Sequence, residues 1–399
     1  MAANKDFAIR QNPEISDAVG YRLGIIGGGQ LAKMTAIAAL QLGCDVIVLE
    51  RNAISPAASL ATHSLVGDWD NPEELLKLAS HVDLVTLENE FVNADSLRVL
   101  AEHGYTLYPS AATMALIQDK YLQKQTYSKA GISVPDFREV STPEDIHNAG
   151  DDFGWPMIVK KRRNSYDGKG NYTVNTENDV ELAWQQLDGD NNGLYVEAFC
   201  PFIKELAIII TRSRNGDIAS YPVVETIQKN HVCHIVKAPA NIPLDIATQA
   251  TEVAQLAITE IDAVGSFGIE MFLTSDNKIM LNEIAPRVHN SGHYTIEACA
   301  CSQFENHVRA VVGWPLGSTA MIKPAAVMIN LLGTEKNDGF PVGIDRALSI
   351  PGAHVHIYGK TMSGSGRKMG HITAIADTME TAYTSARQAA DCITFGNKP

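Results

Sequence analysis

Basic residues and glycines crowd residues 160–171, which read KKRRNSYDGKGN. A strand ending in lysine, followed by a loop with Gly168 and Gly170, can fold over phosphates and offer them backbone N–H groups and cations. Four consecutive basic residues, 160–163, suit a polyanion in an otherwise acidic chain; the plainer alternative is a solvated hairpin tip. Farther on, Glu270 and Glu283 lie on apolar segments flanking the turn Thr274-Ser275-Asp276-Asn277. A symmetric hairpin sets residue 270 opposite 281 and puts Glu283 on the diagonal of the same face, roughly 7–8 Å away. Two carboxylates so placed, with Asn282 beside them, suit Mg2+ held against triphosphate oxygens, because Mg2+ favours a few hard oxygen ligands. Acids among Ile269, Met271, Phe272, Met280 and Leu281 are costly unless a cation compensates.

Residues 282–293, NEIAPRVHNSGH, follow directly. The Arg287 guanidinium can grip a carboxylate-like or phosphorylated group through two hydrogen bonds, and His289 and Asn290 can orient it or move protons. Residues 360–371, KTMSGSGRKMGH, form a second glycine-rich basic loop, whose Lys360, Arg367 and Lys368 suit a ribose phosphate. Gly27-Gly28-Gly29-Gln30-Leu31-Ala32 fits G-x-G-x-x-A, with Glu50 near the spacing of a ribose-binding acid. Taken alone that window allows NAD; a lone glycine turn is a weak signal, and the denser chemistry lies beyond residue 150.

The elements that must position these residues follow from periodicity. Residues 23–26, 46–49, 82–87 and 105–108 read as strands, and Leu31, Met34, Ala38 and Leu42 recur at helical spacing, which implies a parallel, doubly wound unit. Residues 111–130 read as one helix stopped by Gly131. Residues 158–160 and 172–174 form the arms of a hairpin. Further strands are expected at 194–197, 206–212, 221–227, 234–237, 268–273 and 278–284. Helices are expected at 243–262 and near 293–312, with short strands and one helix from about 325 onward. With 399 residues, 45% of them hydrophobic, the chain exceeds one core. A net charge of -14 disfavours nucleic acid and anionic membranes as partners. Residues 1–20 read as a polar extension without a signal peptide, and no apolar run is long enough to span a membrane. The six cysteines form no CxxC pair, and Cys299 and Cys301 fall in a helix-like stretch; this usage points to a reducing cytoplasm.

Together IVKKRRNSYDGKG, INLLG, LNEIAPRVHNSGHYT and GRKMGH resemble the ATP-grasp superfamily and, within it, the N5-carboxyaminoimidazole ribonucleotide synthetases. GGGQLAKM, TLENEFV and QDKYLQKQ fall in the expected order. The resemblance implies an α/β chain, α+β in its clamp: a Rossmann-like preATP-grasp domain over 21–110, a two-lobed ATP-grasp domain over 111–315 and a small C-terminal domain over 316–399. It implies a ligase that joins bicarbonate to the amine of 5-aminoimidazole ribonucleotide (AIR), using ATP and Mg2+ and passing through carboxyphosphate. By resemblance, ATP is held by Lys120, Lys160, Ser165, Tyr166, Asp167, Gly168, Lys169, Gly170 and Asn171, with Glu197, Ala198 and Phe199 at the adenine hinge. Glu205, Gln228, Asn282 and Glu283 complete that site, and Glu270 and Glu283 hold Mg2+. Glu88, Tyr166, Asp167, Lys169, Arg287, Lys360, Arg367 and Lys368 approach AIR. Arg287, His289, Asn290 and Lys160 act on the reacting groups. A cytoplasmic homodimer paired functionally with a downstream mutase is also implied. Here Asn164-Ser165 stand where relatives show a glycine pair, and Gln228 where histidine is common. The competing readings are another ATP-grasp ligase such as a formate-dependent glycinamide ribonucleotide transformylase, an NAD-dependent dehydrogenase, and a nucleotide sensor without turnover.

Overall fold

A computed structural model describes residues 20–165 and 169–396. The N-terminal unit is a parallel sheet in the order His63–Val66, Asp45–Glu50, Arg22–Ile26, Leu84–Leu87, with helices on both faces. Leu23, Ile26, Val46 and Leu49 are buried, as a parallel sheet covered on both faces requires. His63–Val66 was not expected, since HSLV is polar and short. Residues 105–108, expected as a strand, make only an isolated bridge between Leu107 and Val85.

A small antiparallel sheet runs Phe137–Val140, Leu194–Ala198, Met157–Lys161, Asn171–Val174, and packs on helices Pro143–Phe153 and Val180–Gln186 through Val140, Ile146, Val159, Trp184 and Val196. The larger antiparallel sheet runs Ile279–Ala285, Gly265–Thr274, Phe202–Arg212, Val224–Lys229, Val232–Ala238, Ala325–Leu332, Lys368–Ala376, Ala353–Ile357. It is continuous from the clamp into the C-terminal segment, because Val236 pairs with Met328. Helix Leu244–Glu260 seals one face through Ile246, Ala250, Ala254 and Ile258.

Four expectations need correction. Residues 111–130 form two helices, Ala111–Gln118 and Lys120–Lys129. Asp119 leaves the helix at φ -99, ψ 98 to cap the second one, accepting from Leu122 N–H at 3.2 Å. It also takes two hydrogen bonds from Arg162, at 3.0 and 2.7 Å. The Glu270 hairpin is in a different register: Glu270 sits directly opposite Glu283, and a bulge beside Met271 leaves Asn282 without a partner. The region near 293–312 is broken into a turn at Asn290–Gly292 and helices Thr295–Ala298 and Gln303–Val312, so Cys299 and Cys301 lie between helices. The last unit holds two helices, Ile344–Leu348 and Met379–Asp391.

Candidate active site

The break at Asp119 starts a new helix with Lys120 at its first turn, pointing into a cleft lined by Lys120, Gln123, Lys124, Lys160, Asn171, Tyr195, Asn282 and Glu283. Lys120 Nζ pairs with Glu283 at 2.6 Å, and Lys160 Nζ pairs with Glu197 at 2.7 Å. Of the basic run, Arg162 is spent on Asp119 and Glu139, and Arg163 lies 3.5 Å from Asp119. Arg162 is therefore structural, which corrects the expectation of a wholly polyanion-facing run, while the Arg163 side chain stays half exposed. Lys160 faces the cleft. Asn164 adopts a left-handed φ of 58°, which asparagine tolerates better than most residues, so it fills the place of a glycine. Ser165 is buried against Gly170, itself at φ +85°. Lys169 is exposed at the end of the loop. Tyr166, Asp167 and Gly168 lie outside the described residues.

The facing carboxylates Glu270 and Glu283 form the acidic wall. Burial, then Glu283 and Glu205, push the Glu270 carboxyl up to about 7. Glu205 is itself raised by burial and hydrogen-bonded by Gln228. Glu197 points its carboxylate at Lys160 and Lys124, while Ala198 ends the strand and Phe199 stands half exposed beyond it.

Arg287 makes a two-pronged pair with Glu90 of the TLENEFV segment, Nη2 donating to Oε1 at 2.8 Å. His289 stands between the parts: its Nδ1 is 2.8 Å from Ser291 Oγ, and its Nε2 is 3.7 Å from Glu270 Oε1. Burial, then Arg287 and Lys368, hold its pKa well below the usual value, so the ring is neutral. Gln303 fixes that backbone, accepting from His289 N–H at 2.9 Å and donating to His289 O at 2.7 Å. The Asn290 side chain makes a reciprocal amide pair with Asn330, at 3.0 and 2.6 Å. It ties the turn to the C-terminal segment.

Glu88 accepts from Gly29 N–H at 2.7 Å and Ala32 N–H at 3.0 Å, and Glu50 accepts from Gly28 N–H at 2.7 Å. Two carboxylates thus occupy the glycine turn and the helix start where an NAD pyrophosphate would sit, and they repel an anion there. In the C-terminal loop, Lys360 Nζ donates to Lys368 O at 2.8 Å and Arg367 Nη1 to Met362 O at 2.8 Å. Burial and Arg367 lower the Lys360 pKa to about 8, with Glu88 opposing. Lys33 Nζ donates to Ile357 O at 3.0 Å and Tyr358 O at 3.2 Å, which ties the start of this loop to the N-terminal unit.

Sequence reasoning missed Lys124, Glu90, Gln303 and Asn330. Lys124 was within reach of it, being one helical turn beyond Lys120 on the same face. Glu90 follows Glu88 by two residues just past a strand end. Gln303 and Asn330 carry no local signal.

Residues 21–118 match a ribonucleotide synthetase preATP-grasp domain, residues 125–304 an ATP-grasp domain, and residues 326–385 a phosphoribosylaminoimidazole carboxylase C-terminal domain. A chloroplastic phosphoribosylaminoimidazole carboxylase of Vigna aconitifolia is 42% identical over 90% of this chain. The chain spans 64% of that relative's length. An N5-carboxyaminoimidazole ribonucleotide synthase of Synechococcus elongatus is 41% identical over 88% of each protein. The crystal structure of the Aspergillus clavatus N5-carboxyaminoimidazole synthase, in complex with ADP and 5-aminoimidazole ribonucleotide, is 36% identical with a TM-score of 0.86, covering 93% of this chain and 98% of that one. No helix among the described residues is long and apolar enough to cross a membrane. With its preATP-grasp, ATP-grasp and C-terminal domains all matched, the chain belongs to the N5-carboxyaminoimidazole ribonucleotide synthase family.

Proposed function

We propose that the protein carboxylates the 5-amino group of AIR with bicarbonate, converting ATP to ADP and phosphate through carboxyphosphate. One observation carries the reading. Lys120 and Lys160 line one cleft with Glu283, which faces Glu270 across the hairpin, and Glu270 lies 3.7 Å from His289 of the segment that carries Arg287. The Aspergillus clavatus relative, crystallised with ADP and AIR, supports the same substrates.

In this reading Lys120, Lys160 and the loop of Ser165, Tyr166, Asp167, Gly168, Lys169, Gly170 and Asn171 hold the ATP phosphates. Ala198 and Phe199 flank the adenine with the Glu197 backbone, and Glu205 and Gln228 meet the ribose. Glu270 and Glu283, with Asn282 beside them, fit Mg2+, since two facing carboxylates share one lysine and Glu270 is already pushed toward neutrality. Bound there, Mg2+ would neutralise phosphate charge during phosphoryl transfer. Arg287 orients bicarbonate and steadies negative charge on the activated carboxyl. Neutral His289 presents its ring toward Glu270 and the reacting groups, and Asn290 holds that turn in place. Lys360, Arg367 and Lys368 grip the AIR phosphate, while Glu88 and the 166–169 loop approach the aminoimidazole. Carboxyphosphate hydrolyses readily, so the 164–171 loop must shield it from water. A homodimer in the cytoplasm, divided at residues 110 and 315 and feeding its product to a mutase, completes the reading; family resemblance supports it. The test is ADP release with each substrate omitted in turn. Turnover that needs both AIR and bicarbonate is expected, and ADP release indifferent to AIR would overturn the assignment.

A further inference from the structure

Two lysines share one buried carboxylate at the floor of the nucleotide cleft. Glu197 Oε2 accepts from Lys160 Nζ at 2.7 Å, and Glu197 Oε1 lies 3.2 Å from Lys124 Nζ. The side chains of Lys124 and Glu197 are 2% and 3% exposed, against 13% for Lys160, so only Lys160 has an appreciable face on the cleft. Lys124 Nζ also donates to Leu281 O at 3.4 Å, which ties it to the strand carrying Glu283. Burial brings Lys124 down to about 8, with Glu197 opposing, and Glu197 lies at about 2, its two lysines outweighing burial. Lys124 and Glu197 are therefore both charged at neutral pH.

Charge balance says what the sealed lysine does. A buried carboxylate facing Lys160 alone would cancel its charge and hold its ammonium back from any anion. With Lys124 present, the three groups sum to one positive charge, and Lys160 is where it meets the cleft. We propose that Lys124 is a positioning residue for the nucleotide: it neutralises Glu197, so that Lys160 keeps its charge for the phosphates. The proposal gives the Glu197 side chain a role distinct from adenine contact, and it rests on the ATP-binding reading above.

The experiment uses the full chain and measures KM for ATP, KM for AIR, kcat and melting temperature. Lys124→Met should raise the ATP KM about tenfold or more and leave the AIR KM within about twofold, a split that general loss of packing would not give. Lys124→Met/Glu197→Gln removes one charge of each sign and leaves Lys160 uncancelled. It should bring the ATP KM most of the way back toward wild type. Should Lys124→Met fail to fold, Lys124→Gln, which keeps a donor for Leu281 O, carries the same comparison. An unmoved ATP KM in the single variant, or a double variant as impaired toward ATP as the single one, overturns the proposal. Wild-type protein lacking ATP-saturable, AIR-dependent turnover would instead overturn the proposed function.

Discussion

His307 should make the junction between the N-terminal unit and the clamp acid-sensitive. The ring is buried, its Nδ1 accepts from Ser266 N–H at 3.0 Å, and its Nε2 meets Thr86 Oγ1 at 2.8 Å. Thr86 lies two residues before Glu88, so this link anchors the strand that delivers Glu88 and Glu90. A protonated ring would turn a second N–H against the Ser266 amide. Burial accordingly takes its pKa from 6.5 down to about 4. Because the folded value is depressed, the unfolded chain takes up the proton first. The stabilisation is full above pH 6.5 and is lost as pH falls toward 4. The whole shift is worth about 3 kcal/mol, and about 2 kcal/mol of it should be gone at pH 5. Thermal melts of wild type and His307→Gln at pH 7 and pH 5 isolate this group from the other acid-titrating residues. The variant should be less stable at pH 7, and its deficit should shrink by about 2 °C at pH 5. An equal deficit at both pH values would refute the reasoning.

Glu270→Gln and Glu283→Gln should each lower turnover by roughly a hundredfold with the fold intact by circular dichroism, the effect expected when a site for a phosphate-bound cation is lost. Wild-type rates for either at limiting Mg2+ would remove that pair from the metal site. Arg367→Ala should raise the KM for AIR by about ten- to a hundredfold and that for ATP much less, as expected for one lost charge-assisted contact. An equal rise in both would move the loop to the ATP side. Glu90→Gln frees Arg287 from its partner and should lower kcat/KM for bicarbonate about tenfold without moving the ATP KM. Steady-state kinetics with bicarbonate varied checks this, and an unchanged value would make the pair purely structural.

The placement of the candidate residues was legible where one segment carries them. NEIAPRVHNSGH announced Arg287 and His289, and the hairpin arms around 160–171 were visible from their apolar runs and glycines. Glu270 and Glu283 were recognisable as costly acids in apolar strands, yet their register was not, because a single bulge beside Met271 decides it. Asp119 reads as an ordinary residue inside a helix until Arg162, far along the chain, draws it out to form a cap. The partners that hold the site together are likewise distant in sequence: Glu90 for Arg287, Gln303 for His289, Asn330 for Asn290 and Lys124 for Glu197. Local periodicity reports which face of an element is buried and says nothing of which polar group meets it there. The C-terminal strands were expected as a separate unit. Their pairing into the clamp sheet depends on edge contacts that no local pattern encodes.

The central claim is that bicarbonate is activated by phosphorylation before the amine attacks. AIR is a weak nucleophile because its ring draws on the amine, and bicarbonate is a poor electrophile, so phosphorylation must supply the leaving group. Lys160 and Arg287 would then stabilise the charge that builds on it. Bicarbonate labelled with oxygen-18 decides the matter in a single-turnover reaction faster than exchange with water. The account predicts one labelled oxygen in the released phosphate, read by mass spectrometry and formed in step with the carboxylated product. Unlabelled phosphate released alongside that product would contradict it.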